Sequence, residues 1–409
     1  MSVKKETYVR TVMANPPPSG GDLSRLRRLN SLAALRALRG AEPLTLSTLA
    51  ERTGLSRPST KDVVDELAGL GWVEEVAPVA GTMGRPARRY RFRADVGHVV
   101  GLDIGAHKVL AALADLDGNV LAETRHALEP GTPTEARLEA IGKAVSGCLT
   151  LAGLGMDDLW AVTAGTTGLV DPGGRVVLST AVRDWSGLDL AGRLGEMFPC
   201  TVLVENDSKL AALAEWQRGV ARGAKDVVFL HAGRRTGIGL IIDGKLHRGF
   251  GGFAGEISLL PLTRWDTGSA ELDRSPVVPE GTPPQDAARH VLSAARDGDP
   301  AALESVERYV DVLALGATFI VLTLDPETVV LGGSFSRAAD VLLPPLRRRL
   351  EEVCARMPEL RASTLGDECV VLGGIGYAIG HLDERLFGGE GDLPTPVPRN
   401  TRLTSAASP

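Results

Sequence analysis

Leu23, Leu26, Leu29, Leu32, Leu35 and Leu38 recur at three-residue steps, with Arg25, Arg27, Arg28, Arg36 and Arg39 set around them. This spacing puts one apolar stripe on a basic amphipathic helix. Leu46 to Leu67 then holds two shorter helical patterns broken at Gly54-Leu55-Ser56. Ala50 is small enough for a close helix crossing, Gly54 permits a left-handed turn, Ser56 can cap the second helix, and Pro58 is tolerated in its first turn. That is the grammar of a helix-turn-helix. Gly71–Val76 and Arg88–Arg93 read as two strands around the tip Gly81–Pro86, which together make a wing.

From Val99 the pattern changes to strand runs: Val99–Ile104, Val109–Ala114, an Asp117-Gly118-Asn119 turn, and Val120 onward. A second copy of this layout starts near Asp226, with Val227–His231, a glycine-containing turn, a strand through Ile242, an Asp243-Gly244 turn and Leu246 onward. The repeat predicts two related lobes. Helical stretches at 134–152, 206–219, 285–297, 300–324 and 337–356 alternate with short β runs at 160–164, 201–204, 328–331 and 369–372, so the body is α/β. The expected organisation is a flexible arm (1–21), a winged helix-turn-helix domain (22–95), a two-lobed body (96–386) and a disordered tail (387–409). Within the body, lobe 1 covers about 96–222 and lobe 2 about 223–372, with a C-terminal helix returning to lobe 1.

Charge sharpens this division. Residues 1–95 carry 16 Lys and Arg against 10 Asp and Glu, net +6, whereas the remainder is net −12. The basic end is where a polyanion binds. No apolar run approaches the roughly 18 residues of a membrane span, and the N-terminus lacks an apolar signal stretch, so a cytoplasmic protein with no membrane partner is expected. Cys148, Cys200, Cys354 and Cys369 form no ligand-spaced cluster, so reduced thiols and no metal are expected.

Arg57, Ser59, Thr60 and Lys61 lie in the first turn of the proposed recognition helix, the part that reaches base edges in the major groove. Arg85, Arg88, Arg89, Arg91 and Arg93 crowd nine residues with no acid among them. Arg85 and Pro86 belong to a narrow tip suited to the minor groove of A·T-rich DNA, while Arg88 and Arg89 suit phosphates. A solvated charge run or a dimerisation helix are the alternatives to DNA contact.

In the body, Gly101-Leu-Asp-Ile-Gly105 places Asp103 between glycines at the first strand-to-strand turn. Val204-Glu-Asn-Asp-Ser-Lys209 offers Asn206 and Asp207 at a helix start, where they can grip a hydroxyl and take its proton, or where Asn206 can simply cap the helix. Thr236-Gly-Ile-Gly239 opens a third segment that runs to Gly255-Glu256. In this order, over about residues 22–386, these segments resemble the ROK family of repressors and sugar kinases. The resemblance implies an actin-like, ribonuclease-H-like fold. It implies that Asn206, Asp207 and Glu256 hold a sugar, with Asp207 at the catalytic-base position and Thr166 and Thr167 bordering the site. Asp103, Thr236, Gly237, Gly332 and Gly333 fall where the family binds nucleotide.

The chain departs from the kinase pattern at several of these points. Ala106 and His107 replace the glycine and threonine after the first phosphate turn, Arg234 and Arg235 precede Thr236, and Leu240 and Ile241 fill the second phosphate loop. Side chains stand where backbone N–H groups would approach phosphate. Leu259 occupies the histidine position after Glu256, and no cysteine lies between Cys200 and Cys354 to build the family's zinc knuckle. The expected function is DNA-binding transcription regulation, with repression as the family's commoner habit. The regulator would be a homodimer or higher homo-oligomer on an A·T-rich operator, with a sugar-related effector and neither ATP nor zinc. An active sugar kinase carrying a DNA-binding head is the alternative, and a body that only oligomerises is a third reading.

Overall fold

The computed structural model describes residues 23–77, 87–129, 131–265, 267–388 and 393–396. The arm 1–21, the wing tip with Arg85 and Pro86, and residues 397–409 lie outside the described residues. The described residues divide into two compact units, one within 23–93 and 384–396 and one within 94–383.

The first unit contains α1 (Leu23–Leu38), β1 (Leu44–Thr45), α2 (Leu46–Thr53), α3 (Arg57–Leu70), β2 (Val73–Val76) and β3 (Arg89–Phe92). Its helix-turn-helix forms as the local chemistry dictates. Gly54 ends α2 at φ 71°, and the Ser56 side chain accepts the Ser59 N–H at the start of α3. The two wing strands pair antiparallel, and β1 adds a third strand on the far side of β3. That strand is too short for its periodicity to be read from sequence.

Leu35, Leu38, Leu49, Val64, Leu67 and Phe92 fill the core of this unit around Trp72, which is fully buried. Trp72 stacks on Phe92 at 6.0 Å and meets Phe387 edge-on at 5.2 Å. Its indole N–H donates to the Pro394 carbonyl at 2.6 Å, and Leu393 is buried beside it. Part of the segment expected as a tail from residue 387 is therefore held in place. Leu393–Pro396 packs on this unit because Trp72 needs both an apolar cover and an acceptor for its N–H.

The second unit repeats one plan. Its first half runs β4 (His98–Ile104), β5 (Lys108–Asp115), β6 (Val120–Ala127), α4 (Thr134–Ala152), β7 (Leu159–Thr166), β8 (Leu169–Val170), β9 (Val176–Leu178), α5 (Leu190–Met197), β10 (Thr201–Asn206) and α6 (Asp207–Gln217). Its second half runs β11 (Val227–His231), β12 (Gly237–Ile242), β13 (Lys245–Leu246), α7 (Ala270–Asp273), α8 (Pro284–Arg296), α9 (Pro300–Leu324), β14 (Thr328–Gly332), α10 (Ala339–Glu351), β15 (Glu359–Ala362) and α11 (Cys369–Phe387). The sheets have orders β10-β7-β4-β5-β6 and β15-β14-β11-β12-β13, each an antiparallel meander extended by two parallel strands. Each half has its own apolar core.

The β run read at 369–372 is instead the start of α11. A short apolar run cannot distinguish a buried strand from a buried helix, and here the glycines decide. A Cβ on Gly373 would lie 1.9 Å from the Leu210 carbonyl, and one on Gly101 would lie 2.1 Å from that of Val371. The helix thus rests backbone to backbone on β4 and α6. This contact fixes the position of the α6 N-terminus, where the candidate ligand residues sit.

Candidate functional site: a helix-turn-helix and a stapled cleft

On the first unit, α3 presents Arg57 and Lys61 to solvent while Thr60, Val63, Val64 and Leu67 anchor it. Thr60 is fully buried and its hydroxyl donates to the Ser56 carbonyl at 2.9 Å, so it cannot touch a base. That corrects its assignment as a reader: a helix's first turn has an inner face as well as an outer one. Ser59 is half-buried, its hydroxyl 2.9 Å from that of Ser56. The Lys61 ammonium pairs with Asp65 at 2.5 Å.

Acids absent from the arginine run come from the neighbouring strand. Arg91 pairs with Glu74 at 2.5 Å and Arg88 with Glu75 at 3.2 Å. These pairs are exposed and worth little, so phosphate can replace the carboxylates. Arg57 and Arg89 have no ion pair among the described residues.

In the second unit, the candidate ligand residues gather around the first turn of α6. Asn206 caps that helix: its Oδ1 accepts the Ser208 and Lys209 N–H groups at 2.9 and 3.2 Å, and its Nδ2 donates to the Gly168 carbonyl at 3.0 Å. The capping role consumes most of its hydrogen-bonding capacity. Asp207 follows, with Oδ1 accepting from the Ser208 N–H at 2.7 Å. Burial pushes its carboxyl up, His231 opposes that shift and Asp103 adds to it.

Thr166 is fully buried and its hydroxyl accepts the Trp185 indole N–H at 2.9 Å, which makes it a support for the loop instead of a ligand contact. The Thr167 hydroxyl is buried without a hydrogen-bond partner among the described residues. A buried hydroxyl left in that condition costs free energy that a ligand hydroxyl can recover.

Two ion pairs, neither predicted from sequence, hold the glycine-rich segment between β13 and Glu256. Glu205 is fully buried and pairs with Arg248 at one end of that segment. Lys209 is fully buried too. Its ammonium donates to the Gly252 carbonyl at 2.5 Å and lies 3.4 Å from Glu256 Oε1 at the other end. Burial raises the Glu256 carboxyl to about 7, against the opposing pull of Lys209. The pairs span 43 and 47 residues of sequence, so no local pattern announces them.

The nucleotide-side positions are engaged by the protein's own groups. Asp103 pairs with Lys108 at 3.0 Å. The turn after it is gripped from behind by Arg137, almost wholly buried, which donates to the Gly105 and Ala106 carbonyls and lies over the Trp185 ring. His107 is exposed. Arg235 reaches from the turn before β12 to Thr180 on the other half, and Thr236 sits against the hydroxyl of buried Tyr309. Gly237, Gly332 and Gly333 each have a packing reason to be glycine. A Cβ would meet Ser208 Oγ at 2.5 Å, the Phe229 ring at 2.1 Å and the Ala232 carbonyl at 2.4 Å, respectively. Among the described residues, no group of three His, Cys, Asp or Glu is placed to hold a metal ion, and no helix is long and apolar enough to cross a membrane.

Comparison with known proteins places both units. The ROK family model matches residues 99–269 and 278–377, and a MarR family model matches residues 19–81. The chain belongs to the ROK family, and a winged-helix head joined to a ROK body is the architecture of a DNA-binding transcription regulator. Among its relatives, the xylose repressor of Bacillus spizizenii is 24% identical over 383 residues, covering 88% of this chain and 97% of the repressor. A glucokinase of Streptomyces coelicolor is 30% identical over 282 residues, covering 62% of this chain and 87% of the kinase. The crystal structure of a ROK family transcriptional regulator, described as a homolog of the E. coli MLC protein, has the same fold with a TM-score of 0.68 at 19% identity. It covers 88% of this chain and 98% of that one.

Proposed function

We propose that this chain is a cytoplasmic repressor that binds double-stranded operator DNA as a homodimer and responds to a sugar-type effector in the cleft of its body. The observation that carries the DNA reading is α3, a 14-residue helix capped by Ser56. It is held by an apolar inner face and offers Arg57 at its N-terminal end, the end that approaches bases and phosphates. The sequence Gly84-Arg85-Pro86 supports a preference for A·T-rich operators.

The effector reading is supported by Asp207, Glu256 and the orphaned Thr167 hydroxyl, which supply acceptors and a donor for ligand hydroxyls. Family membership supports it as well.

Dimerisation is supported by α9, whose solvent side carries Leu315 (38% exposed), Phe319 (41%) and Leu322 (59%) at i, i+4 and i+7. Leu259, Leu260 and Leu262 are also exposed, on the segment that crosses α9 at Gly316, where a Cβ would meet Trp265 and Ile257. An apolar face of this extent marks an interaction surface, and two heads on a palindromic operator call for a twofold partner.

The kinase alternative draws on Asp207 and on the glucokinase relative. Against it stand Lys108 on Asp103 and the Arg235 side chain at the phosphate loop. We therefore assign no ATP and no zinc to this body.

Operator DNA labelled with a fluorophore and titrated with glucose, xylose and N-acetylglucosamine and their phosphate esters tests the reading. An effector should change operator affinity by about 5- to 150-fold, the usual range of allosteric coupling. Specific DNA binding that none of these compounds alters would remove the effector from the account.

A further inference from the structure

Arg235 stands on the turn between β11 and β12. Its Nη1 donates to Thr180 Oγ1 at 2.5 Å and its Nη2 to the Thr180 carbonyl at 2.7 Å, so both contacts are to neutral oxygens. Its neighbour Arg234 pairs with both carboxylate oxygens of Asp273, at 3.1 and 3.2 Å. Arg235 has no such partner among the described residues. The acid whose charge favours its guanidinium is Asp207, which burial itself inclines toward the neutral form. A partly desolvated guanidinium held only by a hydroxyl and a carbonyl is a cation without a counterion.

The position of this cation matters. Gly237, two residues on, packs against Ser208 so closely that a Cβ would lie 2.5 Å from its hydroxyl. The Arg235 turn therefore sits over the first turn of α6, which begins at Asp207. Hydroxyl-binding groups and an uncompensated arginine share one short stretch of the cleft.

We propose, building on the effector reading above, that the ligand of this cleft is a sugar bearing a phosphate monoester, and that Arg235 is the specificity-determining residue that binds the phosphate. The incoming phosphate replaces the Thr180 oxygens with charge-assisted, bidentate bonds. A neutral sugar offers Arg235 nothing comparable. The replacement of the kinase loop by arginine thus turns a nucleotide-side position into a reader of the effector's own phosphate.

Calorimetric titration of the full chain at fixed ionic strength tests this, with inorganic phosphate and with glucose, xylose and N-acetylglucosamine beside their phosphate monoesters as probes. The expected result is an ester that binds at least about tenfold more tightly than its parent sugar, consistent with one added charge-assisted pair. Arg235→Gln should abolish that advantage, with circular dichroism checking that the variant is folded. Arg234→Gln should leave it intact. Inorganic phosphate should bind weakly in a manner lost in Arg235→Gln.

Equal affinity for ester and parent, an advantage that survives Arg235→Gln, or the absence of any Arg235-dependent binding of phosphate or ester would each overturn the proposal. If operator DNA is still bound in such a case, the anion site fails alone. If esters bind through Arg235 but no specific DNA is recognised, the regulator reading fails and the phosphate site stands.

Discussion

Lys209, wholly buried in the first turn of α6, holds Glu256 at 3.4 Å while donating to the Gly252 carbonyl three residues before Gly255. One side chain thus fixes the course of a glycine-rich segment and opposes, without overcoming, the burial that raises its terminal acid. Removing one member of a buried pair leaves the other uncompensated, which typically costs about 3–5 kcal/mol, whereas replacing both by apolar groups is often close to neutral. Lys209→Met should accordingly destabilise the second unit by about 3 kcal/mol, and Lys209→Met combined with Glu256→Leu should recover much of that loss. Urea unfolding followed by circular dichroism measures both. A Lys209→Met protein as stable as the parent would mean that the ammonium does not hold the segment.

The raised Glu256 carboxyl predicts a pH dependence with a definite sign. Its folded value of about 7 lies above the unfolded reference of about 4.3, so the folded state binds the proton more tightly. The stability it contributes is fully present below about pH 4.3 and is lost as pH rises through about 7. Effector binding runs the other way, because a ligand hydroxyl donates to the ionised carboxylate. Affinity should rise about tenfold between pH 6 and pH 8, and Glu256→Gln should flatten the profile. Calorimetry across that range would reveal an unchanged affinity if Glu256 does not meet the ligand.

On the DNA side, Arg57 and Thr60 should behave oppositely despite lying three residues apart. Arg57→Ala should relax base preference under α3 by about 1–3 kcal/mol for each base that the guanidinium reads. Thr60→Val, by contrast, should leave preference intact and lower the stability of the first unit by about 1 kcal/mol, because its hydrogen bond to Ser56 disappears. Binding to a library of single-base operator variants separates the two effects.

The α9 face carries the dimer prediction. Phe319→Glu places a charge in the centre of the apolar stripe and should shift the chain from dimer to monomer in sedimentation without unfolding it, since Phe319 is already 41% exposed. Operator affinity should fall with dimerisation, because each head then binds a half-site alone. An unchanged sedimentation coefficient would move the dimer contact elsewhere.

What could be read from sequence follows from the range of the interaction responsible. The helix-turn-helix was legible because Gly54, Ser56 and Pro58 act within a few residues of themselves, and the repeated meander because its turns are local as well. Thr60 was misplaced because proximity to a helix start does not say which face a residue occupies. At Asn206 the structure shows the capping alternative, with the side chain spent on the cap and on Gly168. The Lys209–Glu256 and Arg248–Glu205 pairs, Arg137 behind the first turn, and Pro394 on Trp72 were invisible. Each joins segments far apart in sequence, where no periodicity carries the information. The start of α11 was misread because its glycines report on packing against β4 and α6, not on local preference.

The most direct test of the regulator assignment is genome-wide capture of DNA bound by the tagged full-length protein, with Arg57→Ala as the matched control. The expected result is a paired, A·T-rich motif that is enriched with the parent protein and weakened with the variant. Folded protein that enriches no motif, or one indifferent to Arg57, would contradict the assignment of α3 as a reader of DNA.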